Sequence, residues 1–197
     1  MSAEYKNKTS LKTKKAIYTA FIELIKNNDI SDISVTDLCE KADIHRTTFY
    51  NHYSDIYSII GEIENSIIEE VKEILKDYHY QDFMNVPQPA LIRFNKYLQK
   101  DLVFFRILIR QSESEIFLTK LRYIFKTIML QNREIPSSIK DSNEFNIIIG
   151  FIAGGITTIY KEWLTGELHC DINDIPVIIS NFINNGLYLH KLNQKEE

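Results

Sequence analysis

With 197 residues, 44% of them hydrophobic and 25% charged, and only 6 Gly and 4 Pro, the chain is globular in composition, with room for one ordinary domain and a smaller one; a disordered, collagen-like or low-complexity chain is excluded. The net charge of −4 is uneven: residues 1–60 carry 8 Lys and Arg against 8 Asp and Glu, residues 61–197 carry 15 against 19, and Lys6, Lys8, Lys12, Lys14 and Lys15 crowd into ten positions as a solvated basic tail or a phosphate-binding arm. Cys39 and Cys170 cannot build a disulfide framework, the polar first fifteen residues lack the apolar run of a signal peptide, and the apolar stretch Ile147–Ile156 is shorter than the roughly 20 residues of a membrane span, so a cytoplasmic chain without a membrane helix is expected.

The first predicted element covers about Ser10 to Asn27, where Ile17, Ala20, Phe21, Leu24 and Ile25 fall on one helical face. Ser34, with Asp37 three residues on, has the form of a capping box opening a helix of two turns over Val35–Ala42. Asp43-Ile44-His45 is a tight turn, and RTTFYNHY after it puts Phe49 and Tyr53 on one face of a third short helix. Ser54 and Asp55 offer the next N-cap. From there Ile56, Ile60, Ile63, Ile67, Val71 and Ile74 continue at steps of three and four through a long helix of about six turns.

The prolines of QDFMNVPQP mark a connection, because neither can occupy a helix interior. Further helices are predicted at about 88–99, 101–111, 114–132, 142–165 and 173–191, separated by short polar loops and by IPSSIKDS and GELHCDIN. No run alternates with the period of a strand. The expected fold is all-α: a three-helix N-terminal domain (1–53, with a basic arm at 1–15), joined by a long helix to a larger helical domain (54–197).

Two short helices joined by a tight turn and braced by a third have the geometry of a helix-turn-helix, which lays its second helix in the DNA major groove. At 100° per residue, with Phe49 inward, Tyr53 and His45 lie within about 40° of it, Thr47 and Asn51 about 160° away, and Thr48 and Tyr50 about 100° away. The outward face is therefore Thr47, Thr48, Tyr50 and Asn51. Hydroxyls can meet base edges or phosphates, Asn can pair with adenine, and a Tyr hydroxyl reaches a phosphate oxygen. Arg46, at the helix start, can read guanine or grip a phosphate.

The run ISVTDLCEKADIHRTTFYNHYSDIYSII closely resembles the helix-turn-helix signature of the TetR/AcrR-type transcriptional regulators, and TKKAIYTAFIELIKNND before it resembles their first helix. The resemblance covers about residues 9–60 without a gap. It implies that Tyr50 and His52 contact phosphates, that Thr47 and Thr48 face bases or phosphates, and that Ser34 and Thr36 open the helix crossing the DNA backbone. It also implies core places for Phe49 and Tyr53. Three positions depart from the family pattern: Asp43 stands where a turn Gly is usual, His45 where a Ser cap is usual, and Asp55 in the region where many members carry a phosphate-contacting Lys. Asp tolerates a left-handed conformation, whereas His is a poorer cap.

In the second domain, FIAGGITTIYKEWLTGEL with DIPVIISNFINNGL resembles the last two helices of a TetR-like subgroup, and implies a homodimer on an inverted-repeat operator in double-stranded DNA. Gly150, Gly154 and Gly155 fall mid-helix, at a cost of up to about 1 kcal/mol each relative to Ala. Close approach of another helix, within the chain or across a two-fold axis, would offset it. Phe104, Phe105, Tyr123, Phe125 and Trp163 are candidates for the walls of a pocket for a small apolar effector, or simply core aromatics. The chain lacks G-x-S-x-G, P-loop, H-E-x-x-H and G-x-G-x-x-G signatures, and His169-Cys170-Asp171 has no second cluster at zinc spacing. The function expected is therefore that of a non-enzymatic DNA-binding regulator, a repressor, without metal or cofactor. The alternative is a regulator of the same fold controlled mainly by a protein co-regulator, with weakened or co-dependent DNA binding.

Overall fold

The computed structural model describes residues 3–76, 87–111, 114–132 and 135–193, and the side chains within 10–185 of those spans. The expected connection at 81–89 thus lies outside the described residues up to position 86, as do the side chains of Lys6 and Lys8. Every regular element among the described residues is helical: α1 (Ala3–Ile25), a 3-10 turn (Ile30–Asp32), α2 (Val35–Ala42), α3 (Arg46–Tyr50), α4 (Ile56–Leu75), α5 (Gln88–Leu98), a second 3-10 turn (Gln99–Asp101), α6 (Leu102–Arg110), α7 (Ser114–Gln131), α8 (Ser137–Lys140), α9 (Asn143–Thr165) and α10 (Asp174–Asn193). The chain divides into two compact units, Met1–Ser66 and Ile67–Glu197, and α4 carries residues of both.

In the first unit, α1 runs two turns further toward the N-terminus than the apolar pattern indicated. Apolar spacing marks only one face of a helix, whereas residues such as Glu and Lys favour the helix by intrinsic propensity. Its core is Ile17, Phe21, Leu38, Phe49 and Ile59, each at most 1% exposed. An ion pair of 2.8 Å between Lys41 and Glu23 joins α2 to α1 on the surface.

In the second unit, α9 packs against α6 and α7, and α10 against α5. Ser142 caps α9, its hydroxyl accepting from the Phe145 N–H at 3.1 Å, and Gly166 ends it with φ +85. A buried polar bridge ties three segments: the Tyr160 hydroxyl donates to Asn95 Oδ1, and Asn95 Nδ2 donates to the Ile172 carbonyl at 2.6 Å. Helix α9 turns only part of its apolar surface inward, onto Phe145, Ile149, Ile152 and Tyr160. By length and composition α9 is long and apolar enough to cross a membrane, which the shorter contiguous run Ile147–Ile156 did not indicate.

Candidate nucleic-acid interface

Helix α2 begins in the capping box. The Ser34 hydroxyl accepts from the Asp37 N–H at 3.1 Å, and the Asp37 carboxylate accepts from the Ser34 N–H at 3.2 Å and from its hydroxyl at 2.6 Å. The Ser34 hydroxyl first, then its backbone N–H, holds the Asp37 carboxyl below its ordinary value of 3.8. At the other end of α2, Asp43 adopts φ 52, ψ 51, and its N–H reaches the carbonyls of Cys39 and Glu40. It is the one non-glycine residue with positive φ among those described. Asp43 thus makes the left-handed turn itself, as a short polar side chain allows.

Past the turn, His45 is extended (φ −74, ψ 148) and caps α3 through its backbone alone, its carbonyl accepting from Thr48 and Phe49 at 2.9 and 3.1 Å. Because it precedes the helix, His45 is exposed and does not share the inward face of Phe49 that the helical angle assigned it. Phe49 is fully buried and Tyr53 6% exposed, while Thr47 and Asn51 are exposed, Tyr50 is 57% exposed, and Thr48 and His52 are half-buried. The Tyr50 ring stands edge-on to Phe49, centroids 5.4 Å apart, so its position is braced by the core. The helix is shorter than its apolar pair suggested. It ends at Tyr50, and Asn51 and His52 lie in the turn that follows.

Besides Lys41, two more basic groups are engaged inside the unit. The Arg46 guanidinium donates to Thr36 Oγ1, bridging the start of α3 to the first turn of α2. Lys14 pairs with Glu62 at 2.6 Å and lies 5.4 Å above the Tyr53 ring. Burial, with the neighbouring Glu62 carboxylate adding to it, pushes the Tyr53 hydroxyl up to about 12. Lys12 and Lys15 are exposed on α1, beside Lys41. The basic segment is therefore the first half of a helix rather than a tail, with Lys14 turned to the core side. Asp55 caps α4: its carboxylate accepts from the Ser58 N–H at 2.7 Å, and the Ser58 hydroxyl donates to the Asp55 carbonyl at 2.6 Å.

The second unit encloses an apolar cavity of about 120 Å³. Of the five aromatics singled out in the sequence, Phe105 and Phe125 line it. Phe104 is buried elsewhere, one residue and 100° round α6 from Phe105. Tyr123 is 68% exposed on the outside of α7, and the Trp163 indole N–H donates to the Cys170 carbonyl at 3.0 Å, with Arg106 over its ring. The remaining wall is largely aliphatic, with Ile67, Val71 and Leu91 among its members. Such residues read as ordinary core, and no sequence pattern shows that the volume between them is unfilled.

A second feature of this unit is an exposed apolar face. Ile147 and Phe151 on α9 and Ile178 and Phe182 on α10 are each 62–69% exposed. Gly150, Gly154 and Gly155 border it, and a Cβ built on any of them meets no atom of the chain within 4 Å. Among the described residues, no close approach of another segment offsets these glycines.

A family model described as a transcriptional regulator C-terminal region, of TetR type, matches residues 85–185, just over half of the chain. The chain belongs to the TetR family of transcriptional regulators. One relative, the HTH-type dhaKLM operon transcriptional activator DhaS of Lactococcus lactis, is 26% identical over 166 residues, which span 82% of this chain and 85% of that protein. Among solved structures, the dihydroxyacetone kinase operon activator DhaS superposes with a TM-score of 0.61 at 21% identity, over 90% of this chain and 97% of that one. A TetR transcriptional regulator from Streptococcus agalactiae 2603V gives 0.60 at 21%, over 92% and 99%. The fatty acid degradation regulator FadR from Bacillus halodurans gives 0.63 at 13%, over 89% and 96%. This TetR-family chain therefore shares the all-α regulator fold of these proteins along nearly its whole length.

Proposed function

We propose that this regulator acts in the cytoplasm as a sequence-specific DNA-binding homodimer, gripping an inverted-repeat operator. The observation that carries the reading is the division of α3 and the turn after it: Phe49 and Tyr53 are buried, and Thr47, Tyr50 and Asn51 are exposed, at the place a helix-turn-helix presents to the major groove. Thr47, Thr48 and Asn51 then read bases, while Tyr50, His52 and the start of α2 at Ser34 and Thr36 meet phosphates. Arg46, tied to Thr36, sets the two helices against each other. The exposed face on α9 and α10, bordered by Gly150, Gly154 and Gly155, is the surface a second copy covers. A contiguous apolar face of this kind is costly to leave in water.

In this reading, residues 1–53 form the DNA-binding domain and 54–197 the dimerisation and effector domain. The two α3 helices lie about one DNA turn, roughly 34–36 Å, or a multiple apart. The protein represses until a small apolar effector enters the cavity of the second unit and favours the conformation with weaker DNA affinity, which requires differential binding to the two states. Selection of bound sites from a random duplex library tests it. Two half-sites of opposite orientation at a fixed spacing are expected, and enrichment of asymmetric sites, or of none, overturns it.

One observation favours a second reading of the sign of control: the L. lactis relative is named an operon activator. Under it, the same DNA contacts recruit transcription, and the controlling ligand is a protein co-regulator. Transcription in vitro from a selected operator, with purified regulator as the sole addition, separates the two readings by its direction.

A further inference from the structure

An ion cluster forms one part of the otherwise apolar wall of the cavity in the second unit. The side chains of Arg122 on α7 and Lys161 on α9 form part of its wall, and both are about one-third exposed. Lys161 Nζ donates to one oxygen of Glu115, while the Arg122 guanidinium lies 3.9 Å from the other oxygen. Arg122 also donates to the hydroxyls of Thr119, at 2.8 Å, and Thr157, at 3.3 Å. Two cations therefore share one carboxylate. Lys161 holds that carboxyl below its ordinary value, with Arg122 adding to the effect. Glu115 sits at the start of α7, 58% exposed, and can turn into water without leaving a buried contact.

Inside the cavity the chemistry is different. The walls are almost wholly carbon, and the Tyr160 hydroxyl on that wall is already engaged with Asn95. A polar ligand body would lose its hydrogen bonds to water without recovering them. At about 120 Å³ the space is somewhat smaller than the cavity of about 150 Å³ that takes benzene in another protein, so it suits about five or six carbon atoms.

We propose that the cavity takes a small monocarboxylic acid, its short aliphatic or aryl body inside and its carboxylate on Lys161 and Arg122 in the place Glu115 now holds. The proposal rests on the effector reading above and names the ligand class for it. A planar carboxylate matches the guanidinium fork, and the acid gains a charge-assisted contact that the neutral alcohol of equal length lacks. An amine of that length would meet two cations. Glu115 acts as an internal competitor for the same two cations.

Calorimetric titration of the full chain, without DNA, with hexanoate, 1-hexanol and hexylamine tests the proposal. Because heat of binding is the readout, failure of operator recognition would leave this result untouched, and the reverse also holds. One hexanoate per chain is expected, bound about tenfold tighter than 1-hexanol, as hydrogen bonds to charged groups imply, with hexylamine weakest. Glu115→Gln should tighten hexanoate about tenfold and leave 1-hexanol within about twofold, since only the acid competes with it. Lys161→Met should weaken hexanoate toward the level of 1-hexanol. Unchanged 1-hexanol binding by that variant shows that its cavity is intact, and Arg122→Leu replaces it if the variant does not fold. Equal affinities for acid and alcohol, indifference of hexanoate to Glu115→Gln, or no hexanoate binding would each overturn the proposal.

Discussion

The rings of Phe151 and Phe182 lie 6.2 Å apart, tilted by 36°, and the side chains are 65% and 63% exposed. An aromatic pair with so much area left in water is the centre expected of a protein–protein contact. Phe151→Ser or Phe182→Ser should each weaken the dimer by about 2 kcal/mol or more, a factor of about thirty, while leaving the fold intact. Sedimentation equilibrium across a dilution series reads this directly, and an unchanged dimer would place the interface elsewhere.

Gly154 tests the same face from the other side. A Cβ there meets no atom of another described segment within 4 Å, so Gly154→Ala should raise the helical stability of the chain by up to about 1 kcal/mol. Gly154→Leu should fold as well and lose the dimer, because it fills the space a facing helix needs. A rise in melting temperature together with a monomeric mass is the expected pairing.

Recognition divides by contact type. Tyr50→Phe and His52→Ala should lower affinity by similar factors on specific and random duplexes, because phosphate contacts carry no sequence information. Thr47→Ala and Asn51→Ala should change which sites are selected. Competition binding with the two duplex classes separates these outcomes, and a changed site preference for Tyr50→Phe would refute its assignment to phosphate.

Arg46 is expected to act through Thr36. Thr36→Val and Arg46→Ala should each weaken operator binding, and the double variant should lose less than the sum, with a coupling of about 0.5–1.5 kcal/mol. If Arg46 read guanine instead, the two losses would add and only Arg46→Ala would relax site preference.

The capping box makes the first unit acid-sensitive. Asp37 has a lower pKa folded than unfolded, so its contribution is fully present above the unfolded value near 3.8 and is lost as pH falls through the lower folded value. Urea unfolding between pH 3 and 6 should show Asp37→Asn less stable than the parent chain at pH 6, with the gap closing toward pH 3. A gap independent of pH would contradict the charge-dependent cap.

Several elements followed from the sequence alone, and for a local reason. The spacing of apolar residues in α2, α4 and α9, the Ser34–Asp37 box and the turn chemistry of Asp43 act over a few residues, so they are legible without knowing what packs on them. The inward place of Phe49 and the outward places of Thr47 and Tyr50 follow from the same 100° rotation. What extends beyond a helix's own periodicity was not legible. His45 turned outward because a cap residue is extended, and Arg46 was drawn to Thr36 ten positions away. Phe105 and Phe125 were separated from Phe104, Tyr123 and Trp163 by which faces of α6, α7 and α9 met. The cavity itself is volume that neighbouring helices leave unfilled, and the apolar face of α9 and α10 is surface they leave uncovered. Both are set by the tertiary packing of helices that are apolar on more than one side, and a one-dimensional pattern carries no information on which of those sides finds a partner.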